Sequence, residues 1–116
     1  MAKIYFGFAI SDSMFDGECS LERRSIELEA VKLLVSKGVV PCINPSHVPT
    51  IRAMRSRYNI DVDIPEKAPI VNLSEGDRLI VMSVRGLPRL GADRHEYSQE
   101  EIDGASFTFS IWEVLE

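Results

Sequence analysis

The segment Asn44-Pro45-Ser46-His47-Val48-Pro49-Thr50 holds the side chains best suited to chemistry in this chain. Ser46 has the residue type of a helix N-cap, which would make His47 the first helical residue. Backbone N–H groups at such a tip lack intrahelical partners, and the helix dipole favours anions. A phosphate held there would lie beside an imidazole able to donate a proton, with Thr50 in the same turn. Pro49 removes one of the available donors. His47, Ile51, Met54 and Tyr58 also share one helical face, so a structural histidine at the end of a core stripe is the plain alternative.

Two further residues stand where strands should end. Ser11 follows the first apolar run, the position at which α/β sheets often hold ligands; its alternative is a locally hydrogen-bonded turn residue. Arg85 closes a later apolar run just before Gly86-Leu87-Pro88, and a solvated surface arginine is the alternative there. Arg52, Arg55 and Arg57 read as the wet face of a helix, and His95 has no partner at metal-ligand spacing. No His/Cys/Asp/Glu cluster suggests zinc, and neither a phosphate-cradling Walker loop nor a dinucleotide GxGxxG occurs, so no metal site and no cofactor is expected.

The elements that must position these groups follow from period and punctuation. Ile4 to Ile10 is nearly continuous in apolarity, as a strand covered on both faces would be. Ser11 to Ser20 reads as a loop with Met14 and Phe15 tucked inward. Ser25 is placed to cap a helix over about 26–37, with Leu28, Val31, Leu34 and Val35 as its stripe and Gly38 as its stop. Val39 to Ile43 is a short strand whose Pro41 puts it on an edge or at the strand's first residues. A second helix spans about 47–58 and ends at Asn59, and Ile60, Val62 and Ile64 alternate with Asp61 and Asp63 as a half-buried strand.

Ile70-Val71-Asn72-Leu73 and Leu79-Ile80-Val81-Met82 read as a hairpin about the turn Ser74-Glu75-Gly76-Asp77. Ser98-Gln99-Glu100-Glu101 is a capping box opening a short helix that Gly104 ends. In the last strand Phe107, Phe109 and Ile111 share one face, with Trp112 and Val114 on the other. The pattern predicts an α+β fold: a mixed five- to six-stranded sheet flanked by two or three helices, in one domain covering 1–116.

Composition narrows the function classes. With 45% hydrophobic and 27% charged residues the chain is of ordinary globular type. At 116 residues it falls near the usual size of a single domain and needs no disulfide or metal staple. Cys19 and Cys42 fit no disulfide framework and read as reduced thiols of a cytoplasmic protein. The apolar run near the N-terminus is too short to span a membrane. A net charge of −5 and no lysine-rich stretch argue against long nucleic acids, whose affinity comes from neutralised phosphates. A small anion in one local basic pocket is compatible with that charge.

Several segments, in order, resemble a small-protein family of archaeal viruses, phages and mobile elements. They are Ala9-Ile10-Ser11 with Met14, Ser46-His47-Val48-Pro49-Thr50, Glu75-Gly76-Asp77-Arg78-Leu79-Ile80-Val81, and Gly86-Leu87-Pro88. Tyr97-Ser98-Gln99-Glu100-Glu101-Ile102 and the closing Trp112-Glu113-Val114 extend the likeness over nearly the whole chain. Characterised members of the family are viral anti-CRISPR ring nucleases that destroy cyclic tetra-adenylate.

The resemblance implies a homodimer holding one cyclic oligonucleotide on its two-fold axis. His47 would be the general acid and Ser11 a ligand contact, with Ser46, Thr50 and Arg89 around the ligand and Arg85 steadying the phosphorane. Three departures stand out: Ser46 replaces a glycine, Phe8 an asparagine, and Arg89 the glutamate of an Arg-Leu-Pro-Glu segment. The loss of that carboxylate leaves open a non-catalytic sponge for a cyclic nucleotide, beside an interaction module with no nucleotide ligand.

Overall fold

Leu79, Ile80, Val81 and Met82 are all buried, as a run that is apolar on both faces requires. They lie in a five-stranded sheet in a computed structural model that describes residues 2–67, 69–85 and 98–115. In chain order the elements are β1 (Ile4–Gly7), a 3-10 turn (Asp12–Met14), β2 (Leu21–Ser25) and α1 (Leu28–Lys37). They continue through β3 (Val40–Pro41), α2 (Val48–Tyr58), β4 (Arg78–Arg85), α3 (Gln99–Asp103) and β5 (Ser106–Val114). The strand order is β2-β5-β4-β1-β3. β3, β1 and β4 run parallel, while β5 is antiparallel to both β4 and β2. The fold is α+β, a mixed five-stranded sheet with three helices.

The two faces of the sheet are covered differently. On one, Phe6, Ile80, Met82, Phe107 and Phe109 meet Val31 of α1, Ile51 and Met54 of α2, and Ile102 of α3. Tyr58 sets its ring edge-on to Phe107 and Phe109, at centroid distances of 5.9 and 5.4 Å. On the other face Tyr5, Leu79, Val81 and Val114 are covered by irregular chain, through Ile10, Met14, Phe15, Val71 and Leu73. The Leu73 N–H donates to the Met14 carbonyl at 2.7 Å and ties the two coil segments together.

Where the sheet begins, Asp77 does the joining. Its carboxylate, 6% exposed, accepts the Lys3 N–H and the Ser74 N–H, each at 2.9 Å. Its own N–H closes the Ser74 turn at 2.9 Å, and its carbonyl accepts from Val114 at 3.0 Å. Gly76 completes that turn at φ 88°, a backbone region that suits glycine.

Several predicted elements take another form. The hairpin does not exist: β4 pairs with β1 on one side and β5 on the other, so neither edge is open to Ile70–Leu73. That segment keeps its alternation, burying Val71 and Leu73 and leaving Ile70 96% exposed. Residues 60–64 likewise bury Ile60 and Val62 between exposed aspartates without belonging to a strand. Leu21–Ser25, to which the sequence pattern assigned no element before the expected Ser25 cap, is edge strand β2, so Ser25 ends a strand and Glu27 occupies the N-cap of α1. β1 stops at Gly7 rather than Ile10. A Cβ there would come within 2.7 Å of the Cys42 Sγ, which donates to the Phe6 carbonyl at 3.3 Å. β3 is two residues long and lies at the edge, as Pro41 demands.

Candidate site at the carboxyl ends of three parallel strands

The turn before α2 is set by Asn44. Its Oδ1 accepts the Ser46 N–H at 3.0 Å, and its carbonyl accepts the His47 N–H at 3.1 Å. This carries the chain one residue further before helical bonding starts with Ile51 N–H to the His47 carbonyl, at 3.0 Å. His47 therefore is the N-cap, with φ −81° and ψ 54°, and not the first helical residue. Ser46 belongs to the preceding turn and does not cap. The correction moves the imidazole by one position and keeps it at the helix tip, half-buried, with Thr50 half-buried in the first turn. The cap carries no hydrogen bond between the His47 side chain and the first helical N–H groups.

Topology brings the other residues to the same end of the sheet. β3, β1 and β4 are parallel neighbours, registered as Phe6 beside Pro41 and Gly7 beside Val81. Their carboxyl ends point one way, and that end of a parallel sheet is where connecting chain is free to build sites. Ser11 follows β1, the turn bearing Ser46 and His47 follows β3, and Arg85 terminates β4.

Ser11 is exposed, with its Oγ 3.0 Å from that of Ser13 and its carbonyl accepting the Met14 N–H at 3.1 Å. It borders a cavity of about 260 Å³ between Met14, Cys42 and Val71. Arg85 is exposed and donates through Nε to the Thr108 Oγ1 at 3.2 Å. By strand alternation it shares a face with Leu79 and Val81, so it leaves the sheet on the helix-free side. His47 belongs to a helix that covers the other side. The two therefore lie toward the same end of the sheet but on opposite faces of it. Arg89, together with Gly86, Leu87, Pro88 and His95, lies outside the described residues.

The α2 arginines are all exposed, as expected of the wet face of a helix, and their long side chains also reach neighbouring elements. Arg57 donates to the Ile102 carbonyl at 3.2 Å and lies 5.5 Å from the ring centroids of both Tyr58 and Phe107. Arg55 reaches the Val62 carbonyl at 3.4 Å and Arg52 the Gln99 Oε1 at 3.5 Å. They tie α3 and the 60–64 segment to α2.

Sequence reasoning gave no role to Cys42, which lies between the Ser11 cavity and the end of β1. Burial pushes its thiol up to about 11. The Tyr5 phenol is also raised, by burial first and then by Asp77 and Cys42. The signal that could have found Cys42 is Gly7, a glycine in a strand marking close approach of another chain segment. Among the described residues no group of three His, Cys, Asp or Glu side chains is placed to hold a metal. No helix among the described residues is long and apolar enough to cross a membrane.

The class that these observations define is that of a single α+β domain with a mixed five-stranded sheet and three helices. No protein-family profile matches the chain, and no curated protein matches it. Among solved structures it is similar to B116 of Sulfolobus turreted icosahedral virus, with a TM-score of 0.61 and 19% identity over 99% of this chain and 100% of that one. That neighbour is a viral protein, consistent with a viral small-protein family; identity this low establishes the fold alone.

Proposed function

We propose that this protein binds a cyclic oligoadenylate, cyclic tetra-adenylate, at the carboxyl ends of β1, β3 and β4 and cleaves it. The observation that carries the reading is that Ser11 follows β1, the turn bearing His47 follows β3 and Arg85 ends β4, three adjacent strands that run parallel. These are the residues that the sequence resemblance nominates. The half-buried position of His47 at the tip of an 11-residue helix adds an anion-favouring field.

In this reaction a ribose 2′-hydroxyl attacks its own phosphodiester. The 2′-oxygen–phosphorus bond forms as the phosphorus–5′-oxygen bond breaks, leaving a 2′,3′-cyclic phosphate and a free 5′-hydroxyl. His47 donates the proton taken up by the departing 5′-oxygen, and the 2′-hydroxyl proton passes to solvent. Arg85 and backbone N–H groups at the α2 tip stabilise charge on the phosphorane. Ser11 and Thr50 orient the ring, with Ser46 in the turn beside them and Arg89 as a further phosphate partner. Orientation of the attacking hydroxyl supplies much of the rate. A symmetric ring ligand suits two copies of the chain about a two-fold axis.

The test is incubation with labelled cyclic tetra-adenylate, with and without EDTA. Linear products ending in a cyclic phosphate are expected, insensitive to EDTA. Loss of the general acid in His47→Ala should slow cleavage by about 10²–10⁴-fold while binding persists. Retention of intact ligand by the unaltered protein would identify a sponge. Absence of any interaction with cyclic oligonucleotides would overturn the proposal.

A further inference from the structure

A second, larger cavity of about 600 Å³ lies on the helix-free face, under the chain that runs from Ser11 to Cys19. Neither His47 nor Arg85 is among its described walls. Phe15, Leu21 and the indole of Trp112 supply apolar and aromatic surface, and Asp12 and Glu18 supply two carboxylates. No lysine or arginine is among the described lining residues. Asp12 and Glu18 are exposed and form no ion pair with any described residue, and the Arg23 guanidinium is engaged with the Trp112 ring rather than in an ion pair with them.

The aromatic wall is held in place from two directions. The Trp112 Nε1 donates to the Ser110 Oγ at 3.1 Å, and the Arg23 guanidinium stands 5.8 Å from the ring centroid. A fixed wall loses little entropy when a ligand packs on it.

We infer that this cavity is a binding site for a small aromatic amine. The volume falls within the roughly 300–1,000 Å³ usual for small-molecule sites. Aromatic walls select a flat apolar body. Two carboxylates select a positive group and reject an anion, so a phosphate-bearing ligand is disfavoured here. The site is thus distinct in charge preference from the strand-end cluster, although Ser11 borders both.

Trp112 is the chain's one tryptophan, so its fluorescence reports the cavity directly. The probes are phenethylamine and 3-phenylpropionate, similar in shape and opposite in charge. Phenethylamine should change the emission saturably, and 3-phenylpropionate should bind at least about tenfold more weakly. The double variant Asp12→Asn/Glu18→Gln, at two exposed positions, should weaken the amine about tenfold without moving Tm. Added NaCl should weaken the amine on the unaltered protein, which tests the charge preference without any substitution. Equal binding of the two probes, no saturable change with the amine, or a double variant that binds it undiminished would each overturn the assignment.

Discussion

The two faces of the sheet are built on opposite plans. One is covered by three helices, from which Val31, Met54 and Ile102 interlock with Phe6, Ile80 and Met82 at nearly zero exposure, while Ile51 nearer the start of α2 is 8% exposed. The other is covered by irregular chain, and its buried residues there, Val71 at 9% and Leu73 at 6%, are less completely enclosed. Helices satisfy their own backbone polar groups, whereas a coil must find partners elsewhere. Here it finds them in single bonds such as Leu73 N–H to the Met14 carbonyl. The helical face therefore carries rigidity, while the coil face leaves room for cavities. Ser11 belongs to the coil layer and His47 to the helical one.

Substitutions should separate these plans. Met54→Ala, at zero exposure under α2, should cost about 2–5 kcal/mol in urea unfolding, against about 2 kcal/mol for Leu73→Ala on the coil face. Equal losses would end the distinction. Asp77→Ala strands the Lys3 and Ser74 N–H groups at the junction of the strands and should cost about 2–3 kcal/mol. Gly7→Ala forces a Cβ to within 2.7 Å of the Cys42 Sγ and should cost about 1–3 kcal/mol, with Cys42→Ala restoring part of the loss.

The smallest effect is on pH dependence. The Cys42 thiol moves from 9.0 when unfolded to about 11 when folded. Between those values the unfolded chain has released the proton and the native chain retains it, so stability falls as pH rises from about 9 to about 11. Tyr5, raised in the same sense, continues the fall at higher pH. Urea melts at pH 8 and pH 10.5 should show a smaller drop for Cys42→Ala than for the unaltered chain. Exposed Cys19 should be alkylated well before Cys42.

What could be read from the sequence was whatever local chemistry decides. The Ser98/Glu101 capping box, the left-handed Asn59 at φ 55°, the edge position of Pro41 and the two-faced alternation of β5 each depend on a few adjacent residues. Long-range pairing was not legible. β2 has the polar sequence Leu21-Glu22-Arg23-Arg24-Ser25 because it is an edge strand held only by β5, so it lacks the apolar alternation that announces a strand. Ile70–Leu73 alternates because coil packed on a sheet face also buries every second residue, and nothing local tells the two cases apart. At the candidate site the helix tip was legible to within one residue. The offset comes from Asn44, whose side chain takes the Ser46 N–H and delays the helix. The opposite-face approach of Arg85 depends on which face α2 covers, which only the tertiary fold decides.

Amide chemical shifts of the full chain carrying His47→Ala, which should hold cyclic tetra-adenylate without cutting it, test the shared site most directly. Saturation should move the amides of Ser11, Ser46, Thr50 and Arg85 together along a single binding curve. Perturbations that leave any of those three strand ends untouched, or none at all at saturating ligand, would contradict one common site.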